Sequence, residues 1–267
     1  TDIIYEKEEN GICIATISRP KMRNAVTSLT WLELETILGD MEQDRNAKVL
    51  IITGDPKGGA FSSGGYMDPN AMNDIPPHIK SEIDFGDMAG VSIANALFKF
   101  SKPVIAAING LAVGAGITMP LIGADLIYMA EDAWLGFYFV KRGLIPEFCS
   151  SFLLPFYVGF QKAKELCYFG DKITAQQALK YGFANKVLPN DELLPFAREQ
   201  ALRLIPPKGP SKAINLMKKT MHEYFINIVE KTTNLENKGW RRVAGSKDML
   251  ESVKALKEKR DPVFRGR

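Results

Sequence analysis

Two glycine-rich segments constrain the fold of this chain more than any other feature of its sequence. Each follows a short apolar run: 60-AFSSGGYM-67 comes after 49-VLIIT-53, and 109-NGLAVGAG-116 comes after 104-VIAAI-108. Short apolar runs that end at a turn signal are typical of buried strands. The sequence therefore predicts two strands that each lead into a glycine-rich loop.

The second loop also predicts a helix at 114-GAGITMPLIG-123. Glycines without side chains let backbone N–H groups approach a ligand closely, and the N-terminus of a helix favours negative charge. Two N–H donors aimed at one carbonyl oxygen would form an oxyanion hole. Such a pair stabilises the enolate that forms when a proton leaves the carbon next to a thioester carbonyl.

Composition indicates a soluble globular protein. The 267 residues are 46% hydrophobic, enough for one large domain or two smaller ones. The longest apolar stretch, residues 104–130, is interrupted by Asn109, Gly110, Pro120 and Asp125, which argues against a membrane helix. The net charge of +3 is small and its cations are dispersed, so we expect no nucleic-acid partner.

The cysteines and histidines exclude several kinds of site. Cys13, Cys149 and Cys167 form an odd set without CxxC spacing, which favours buried thiols in a reducing compartment such as the bacterial cytoplasm, the mitochondrial matrix or a peroxisome. The two histidines, His78 and His222, are too few for a histidine-based metal site or a catalytic triad. We therefore expect no metal.

The first half of the chain alternates strand and helix patterns, which indicates a layered α/β fold. Periodicity alone does not distinguish a spiral of ββα units from a dinucleotide-binding fold. The predicted elements are a strand at 11–18, a helix from about Ser28 to Gln43, a strand at 48–53, a helix from about His78 to Phe100, strands at 103–108 and 125–130, and a helix that begins near Glu147.

Two further segments have a distinct character. Residues 66–78 are rich in turn formers, so we expect an irregular or mobile segment directly after the first glycine loop. After Pro189 the pattern becomes helical, with a break at 206-PPKGP-210 and amphipathic stretches at 211–230 and 247–260. The apolar stripes of these helices fit either the core of this chain or contacts between subunits.

Motifs spread over most of the chain resemble the crotonase, or enoyl-CoA hydratase/isomerase, superfamily. Each motif alone is weak, but their order and spacing together are specific. They are the two glycine loops within 60–67 and 102–116, together with 19-RPKMRNA-25, Asp125, 144-LIPE-147, 173-ITAQQALKYGFANKVLP-189 and 258-EKRDPVF-264.

The resemblance implies a crotonase-like spiral of ββα units with a helical C-terminal region. Residues 1–190 would form the core with the acyl-CoA site, and residues 191–267 would cap that site and support oligomerisation. The implied assembly is a homotrimer or a dimer of trimers. The implied substrate is a coenzyme A thioester, with no prosthetic group and no integral membrane segment.

Residue-by-residue comparison with the superfamily motif makes Gly65 and Ala115 the expected oxyanion-hole positions, each through its backbone N–H. Tyr66 stands where many relatives have Asp, and it could instead pack on the ligand. The resemblance places a further set of residues along the path of coenzyme A: Arg19, Lys21, Ala25, Ser63, Gly65, Tyr66, Met67 near the adenine, and Lys259. The ordinary alternative for Lys21 and Lys259 is a solvated surface charge.

The acid/base residues separate the branches of this superfamily. Hydratases use two glutamates, and the corresponding positions here are Thr118 and Phe139, neither of which can act as a base. Glu147 instead matches the single glutamate of the Δ3,Δ2-enoyl-CoA isomerase branch. One base suffices for moving a proton between two carbons, and burial beside Ile145 and Phe148 would raise its pKa toward the working range.

Three functions are therefore compared. The resemblance favours an isomerase that converts 3-enoyl-CoA to 2-enoyl-CoA. The alternatives are a hydratase or another crotonase-type hydrolase or lyase that uses Glu147 differently, and a catalytically inactive CoA-binding scaffold. In the ordinary structural interpretation, Glu147 is a carboxylate stabilised by the dipole of the helix that begins there.

Overall fold

The structure is a computed structural model that describes residues 1–66 and 75–267. Most of the predicted irregular segment 66–78, including Met67, lies outside the described residues.

The described residues form ten strands in two sheets. The larger sheet has the order β1-β2-β3-β5-β7-β10 and the smaller has the order β4-β6-β8-β9. The strands are β1 Ile3–Lys7, β2 Ile12–Ile17, β3 Val49–Gly54, β4 Ala60–Ser62, β5 Val104–Ile108, β6 Leu111–Val113, β7 Leu126–Ala130, β8 Trp134–Gly136, β9 Ile173–Thr174 and β10 Lys186–Leu188.

Helices follow pairs of strands and then dominate the C-terminal third. Their bounds are α1 Ser28–Gln43, α2 Pro77–Lys80, α3 Val91–Lys99, α4 Ala115–Gly123, α5 Ser150–Val158, α6 Phe160–Phe169, α7 Ala175–Lys180, α8 Asn190–Leu204, α9 Ser211–Glu223, α10 Ile226–Val243 and α11 Lys247–Lys257.

From β3 to β8, successive strands alternate between the two sheets. β3, β5 and β7 pair in parallel in the larger sheet, while the next strand in each case, β4, β6 and β8, enters the smaller one. A helix follows each pair. This arrangement is the predicted spiral of ββα units, and it explains why residues of β3 and β5 are buried throughout: parallel strands covered on both faces need continuous apolar runs.

The predicted helix over about His78 to Phe100 is wrong as one element. It is divided into α2 and α3, with turns between them. The Asp87 carboxylate accepts hydrogen bonds from the N–H groups of Val91 (2.6 Å) and Ser92 (2.8 Å), which starts α3 afresh. Gly90, at φ +64°, adopts a left-handed conformation immediately before it.

The C-terminal helices occupy two places. α8 lies on the larger sheet and buries Leu193, Ala197 and Ala201, whereas α10 contacts α3 and α5. The boundary at residue 190 between core and C-terminal region stays a prediction. None of the described helices is both long and apolar enough to cross a membrane.

Candidate active site

The two glycine loops pack directly against each other. Gly64 has φ +89°, and a Cβ atom there would lie 2.5 Å from the carbonyl oxygen of Val113 and 3.6 Å from the amide nitrogen of Ala115. Gly116 similarly faces the backbone of Ser62 with no room for a side chain. The glycines are therefore required for the close approach of the two loops.

This contact brings two unused backbone donors to one cavity. Gly65 and Ala115 both line it, and neither N–H group donates to any described residue. Neighbouring groups are satisfied: Val26 N–H donates to Gly64, and Tyr66 N–H donates to Val26. Ala115 begins α4, so the free N–H at the helix start adds the favourable end of the helix dipole. The predicted role of the pair as an oxyanion hole stays a prediction.

Glu147 lines the same cavity, which has a volume of about 250 Å³. The residue is only 7% exposed, yet its carboxylate makes no hydrogen bond or ion pair with any described residue. It is also the only acidic residue among the described residues that line this cavity. A buried carboxyl group that lacks a partner is costly, and such groups are concentrated where chemistry needs them.

A second carboxylate holds the backbone next to Glu147. Phe148 and Cys149 are both left-handed, at φ +57° and +60°, which is uncommon for side chains of this size. Glu236 of α10 accepts hydrogen bonds from Cys149 N–H (2.7 Å) and Ser151 N–H (2.8 Å). Glu236 thereby fixes the turn that follows Glu147 and caps the start of α5.

These contacts bear on the structural interpretation of Glu147 as a carboxylate at the start of a helix. The carboxylate that satisfies the first N–H groups of α5 belongs to Glu236, not to Glu147. The helix-start role that the sequence allowed for Glu147 is therefore filled by another residue. Glu147 is left facing the cavity.

The environment makes both carboxyl groups reluctant to ionise. Burial raises the pKa of Glu147 well above its ordinary value, and the nearby charges of Glu236 and Asp87 raise it further. Burial also raises the pKa of Glu236 to about 7, although its hydrogen bonds with Cys149 and Ser151 act in the opposite direction. Since Glu236 has these donors, its ionised form is the better stabilised, and Glu147 becomes the more basic of the pair.

The positions that correspond to the hydratase glutamates offer no base. Phe139 lines the cavity with its ring, and Thr118 is fully buried with its hydroxyl donating to the Gly114 carbonyl at 3.3 Å. Aromatic side chains form much of the remaining wall. They are Trp31, Tyr66, Tyr138, Phe139, Phe148 and Trp240.

The residues predicted to contact coenzyme A are only partly brought together. Ser63 and Tyr66 line the cavity beside Gly65. Arg19 is not among the lining residues: its guanidinium pairs with Asp2 (3.2 Å), donates to the Ala25 carbonyl (2.8 Å) and lies over the Tyr66 ring. Arg19 thus organises the loop that carries Ala25.

The two predicted lysine contacts lie away from the cavity within one chain. Lys21 is exposed on the short 3-10 turn Pro20–Met22, and Lys259 is exposed just after α11. Neither lines the cavity that holds Glu147. Their contact with coenzyme A stays a prediction, and so does that of Met67, which is outside the described residues.

Sequence reasoning missed three residues of this site, namely Glu236, Trp240 and Arg142. One signal was available for the first two. Val229, Thr233, Glu236 and Trp240 recur at helical spacing on the buried stripe of α10, and a carboxylate on such a stripe needs a partner. No signal in the residues alone distinguished Arg142 from a surface cation.

Comparison with known proteins identifies the family of this chain. A family model described as enoyl-CoA hydratase/isomerase matches residues 7–267. The chain is 30% identical to 1,2-epoxyphenylacetyl-CoA isomerase of Escherichia coli strain K12, over 100% of this chain and 99% of that protein. It is 32% identical to crotonyl-CoA hydratase of Syntrophomonas wolfei, over 98% of this chain and 97% of that protein.

Solved structures show the same architecture. An enoyl-CoA hydratase/isomerase from Pseudoalteromonas atlantica T6c has a TM-score of 0.85 and 25% identity, and the match covers 99% of this chain and 100% of that one. The fold class predicted from the sequence is confirmed.

Proposed function

The chain belongs to the enoyl-CoA hydratase/isomerase family, the crotonase superfamily, and we propose that within it this enzyme converts 3-enoyl-CoA to 2-enoyl-CoA. Members of the family act on coenzyme A thioesters without a prosthetic group. The observation that carries the proposal is Glu147, a buried carboxylate that shares one cavity with the N–H groups of Gly65 and Ala115; none of the three has a hydrogen-bond partner in the described part of the chain.

In the proposed reaction Glu147 removes a proton from C2, the carbon next to the thioester carbonyl. The electron pair moves onto the carbonyl oxygen, where the N–H groups of Gly65 and Ala115 stabilise the negative charge of the enolate. The protonated Glu147 then returns the proton to C4, and the double bond moves from C3–C4 to C2–C3. One carboxyl group completes this cycle, and its raised pKa favours both proton transfers.

Hydration of a 2-enoyl-CoA is the second candidate, because several relatives are named as hydratases. Water addition needs a group that activates water and a group that protonates C2. The described residues of the cavity provide one carboxylate, with Phe139 at one of the corresponding positions. This observation supports isomerisation over hydration.

The experiment compares both reactions in the purified protein. The protein is given 3-enoyl-CoA and, separately, 2-enoyl-CoA, and the products are identified by mass and chromatography. We expect the double-bond isomer from the first substrate. A 3-hydroxyacyl-CoA formed efficiently from the second would refute the isomerase assignment, and the absence of both products would favour the inactive CoA-binding scaffold.

The base is tested by Glu147→Gln, which keeps the shape of the side chain and removes its basicity. We expect isomerisation to fall by at least about a hundredfold while binding of a saturated acyl-CoA persists. Glu199→Gln is the matched control, because Glu199 is exposed on α8 and does not line the cavity. Near-normal turnover by Glu147→Gln would refute the assignment of Glu147 as the base.

We also propose that the helical C-terminal region joins copies of this chain, as a homotrimer or a dimer of trimers. The outer face of α9 and the residue after it leave large apolar side chains exposed: Leu216, Met217, Met221 and Tyr224, the last 85% exposed. Contiguous apolar surface of this kind marks protein contacts.

A further inference from the structure

Arg142 places a cation in the cavity that holds Glu147. It ends the 3-10 turn Val140–Arg142, which follows β8, and its side chain is partly buried. Its backbone is held on both sides: the N–H donates to the Phe139 carbonyl (2.8 Å), and the carbonyl accepts from the Ser252 hydroxyl (3.2 Å). The backbone from which the side chain of Arg142 extends is therefore held in place.

This guanidinium has no partner among the residues that the structure describes. It makes no hydrogen bond, no ion pair and no stacking contact with an aromatic ring there. Burial lowers the pKa of Arg142, and no carboxylate counteracts that effect. The pKa of Glu147 likewise shows no influence of Arg142. Arg142 is thus not the counter-ion of the proposed base.

Trp240, another residue that lines the cavity, also has an unused donor. The indole N–H of Trp240 is buried and has no acceptor within the described part of the chain. Withdrawing a donor or a cation from water without a partner costs free energy. Because the Trp240 Nε1 atom is itself buried, the Arg142 guanidinium is the unpaired donor of the described lining residues that a bound ligand would meet.

We propose that the cavity accepts acyl-CoA thioesters whose acyl chain ends in a carboxylate, and that Arg142 binds this carboxylate. The inference rests on the proposed function for the position of the thioester at Gly65 and Ala115. From that position the acyl chain extends between the aromatic walls. A planar guanidinium pairs with a carboxylate through two parallel hydrogen bonds.

The test measures binding, so it does not depend on turnover. Dissociation constants are determined by calorimetry for two matched series of saturated thioesters. Succinyl-, glutaryl-, adipoyl- and pimeloyl-CoA carry the terminal carboxylate, and butyryl-, pentanoyl-, hexanoyl- and heptanoyl-CoA have the same chain lengths without it. The readout is the ratio of the two dissociation constants at each length, in the wild type, in Arg142→Met and in the control Arg45→Met.

We expect at least one chain length for which the wild type binds the carboxylated ligand about 10- to 100-fold more tightly, the range for a hydrogen-bonded charge pair. Arg142→Met should bring this ratio close to one. Arg45 is exposed and lies outside the cavity, so Arg45→Met should keep the wild-type ratio.

Two results would overturn the inference: no preference for the carboxylated ligand at any length in the wild type, or a preference that survives in Arg142→Met. The first is decided without any variant, so it holds even if Arg142→Met fails to fold. A wild type that prefers carboxylated ligands but does not isomerise 3-enoyl-CoA would refute the proposed function and leave the role of Arg142 intact.

Discussion

Replacing Glu236 with glutamine tests how this buried carboxylate, which lies outside the cavity, affects the ionisation of Glu147, which lines it. Glu236 is 3% exposed and accepts two backbone hydrogen bonds that fix the turn after Glu147. Glu236→Gln keeps the size of the side chain and removes its charge. The variant should alter both the pH dependence of stability and the pH dependence of catalysis.

The stability effect follows from the pKa of Glu236, which burial raises from 4.5 to about 7 in the folded protein. Between these pH values the folded protein keeps a proton that the unfolded chain has lost, so the free energy of unfolding falls as pH rises. At about 1.4 kcal/mol for each pKa unit, the full loss is about 3 kcal/mol. Glutamine does not titrate and lacks this loss.

The measurement is urea unfolding of both proteins at several pH values from 5 to 8. The stability of the wild type relative to Glu236→Gln should decrease by about 2 to 3 kcal/mol over this range. If the difference in free energy of unfolding between the two proteins is the same at every pH, Glu236 does not titrate between pH 5 and 8. That result would refute the argument that burial raises the pKa of Glu236 more than its hydrogen bonds lower it.

The catalytic effect arises because the charge of Glu236 helps to raise the pKa of Glu147. In Glu236→Gln this charge is absent, so Glu147 should ionise at lower pH. If Glu147 is the base, the acidic limb of the plot of kcat/KM against pH should move to lower pH. An acidic limb that does not move would show either that Glu147 does not determine the pH dependence of kcat/KM or that the charge of Glu236 does not affect the pKa of Glu147.

Glu230→Gln is the matched control for both measurements. Glu230 lies on the same helix, but its side chain is 42% exposed and pairs with that of Lys99 at 2.6 Å. An ion pair at the surface contributes about 0.2 to 1 kcal/mol, so we expect its removal to change stability little. A control that reproduced the behaviour of Glu236→Gln would show that any charge removed from α10 has the same effect.

Three further predictions concern the backbone and the assembly. Ala115→Pro should abolish turnover because it removes an N–H donor, whereas Ala115→Gly should retain most activity; normal turnover by a folded proline variant that binds acyl-CoA would refute this donor. Gly64→Ala should lower the free energy of unfolding by more than about 2 kcal/mol, because φ is +89° and the Val113 carbonyl occupies the space that the added Cβ needs. In the control Gly65→Ala the added Cβ meets nothing within 4 Å, so a denaturant titration should show a smaller loss in the free energy of unfolding. Light scattering should give the mass of a trimer or hexamer, and a monomer would contradict the proposed role of the C-terminal helices.

Local sequence patterns predicted the elements that local interactions determine. The helix predicted from about Ser28 to Gln43 has these bounds in the structure, since Thr27 and Thr30 form a capping box at its start. The apolar runs before both glycine loops are strands β3 and β5. In these regions, hydrophobic periodicity and the turn residues favour the same structure as the tertiary contacts.

Predictions failed where distant contacts determine the structure. The residues between α2 and α3 carry helical periodicity, but Asp87 caps a new helix and Gly90 packs against Phe148, where a Cβ would lie 2.9 Å from its ring. That contact spans 58 residues of sequence, from position 90 to 148. Strand β1, Ile3–Lys7, was also not predicted, because only its first residue is buried and its apolar signal is weak.

The different hydrogen bonding of Glu147 and Glu236 shows why the candidate site could be predicted only in part. Both are buried glutamates near the start of α5, and both have raised pKa values. Hydrogen bonds distinguish them: Glu236 accepts from Cys149 and Ser151, and Glu147 accepts from no described residue. A carboxylate engaged by two backbone donors is poorly available as a base, whereas one without donors can exchange a proton with a substrate. Because Glu236 stabilises the left-handed turn from a helix 87 residues away, Glu147 can face the cavity without a partner among the described residues.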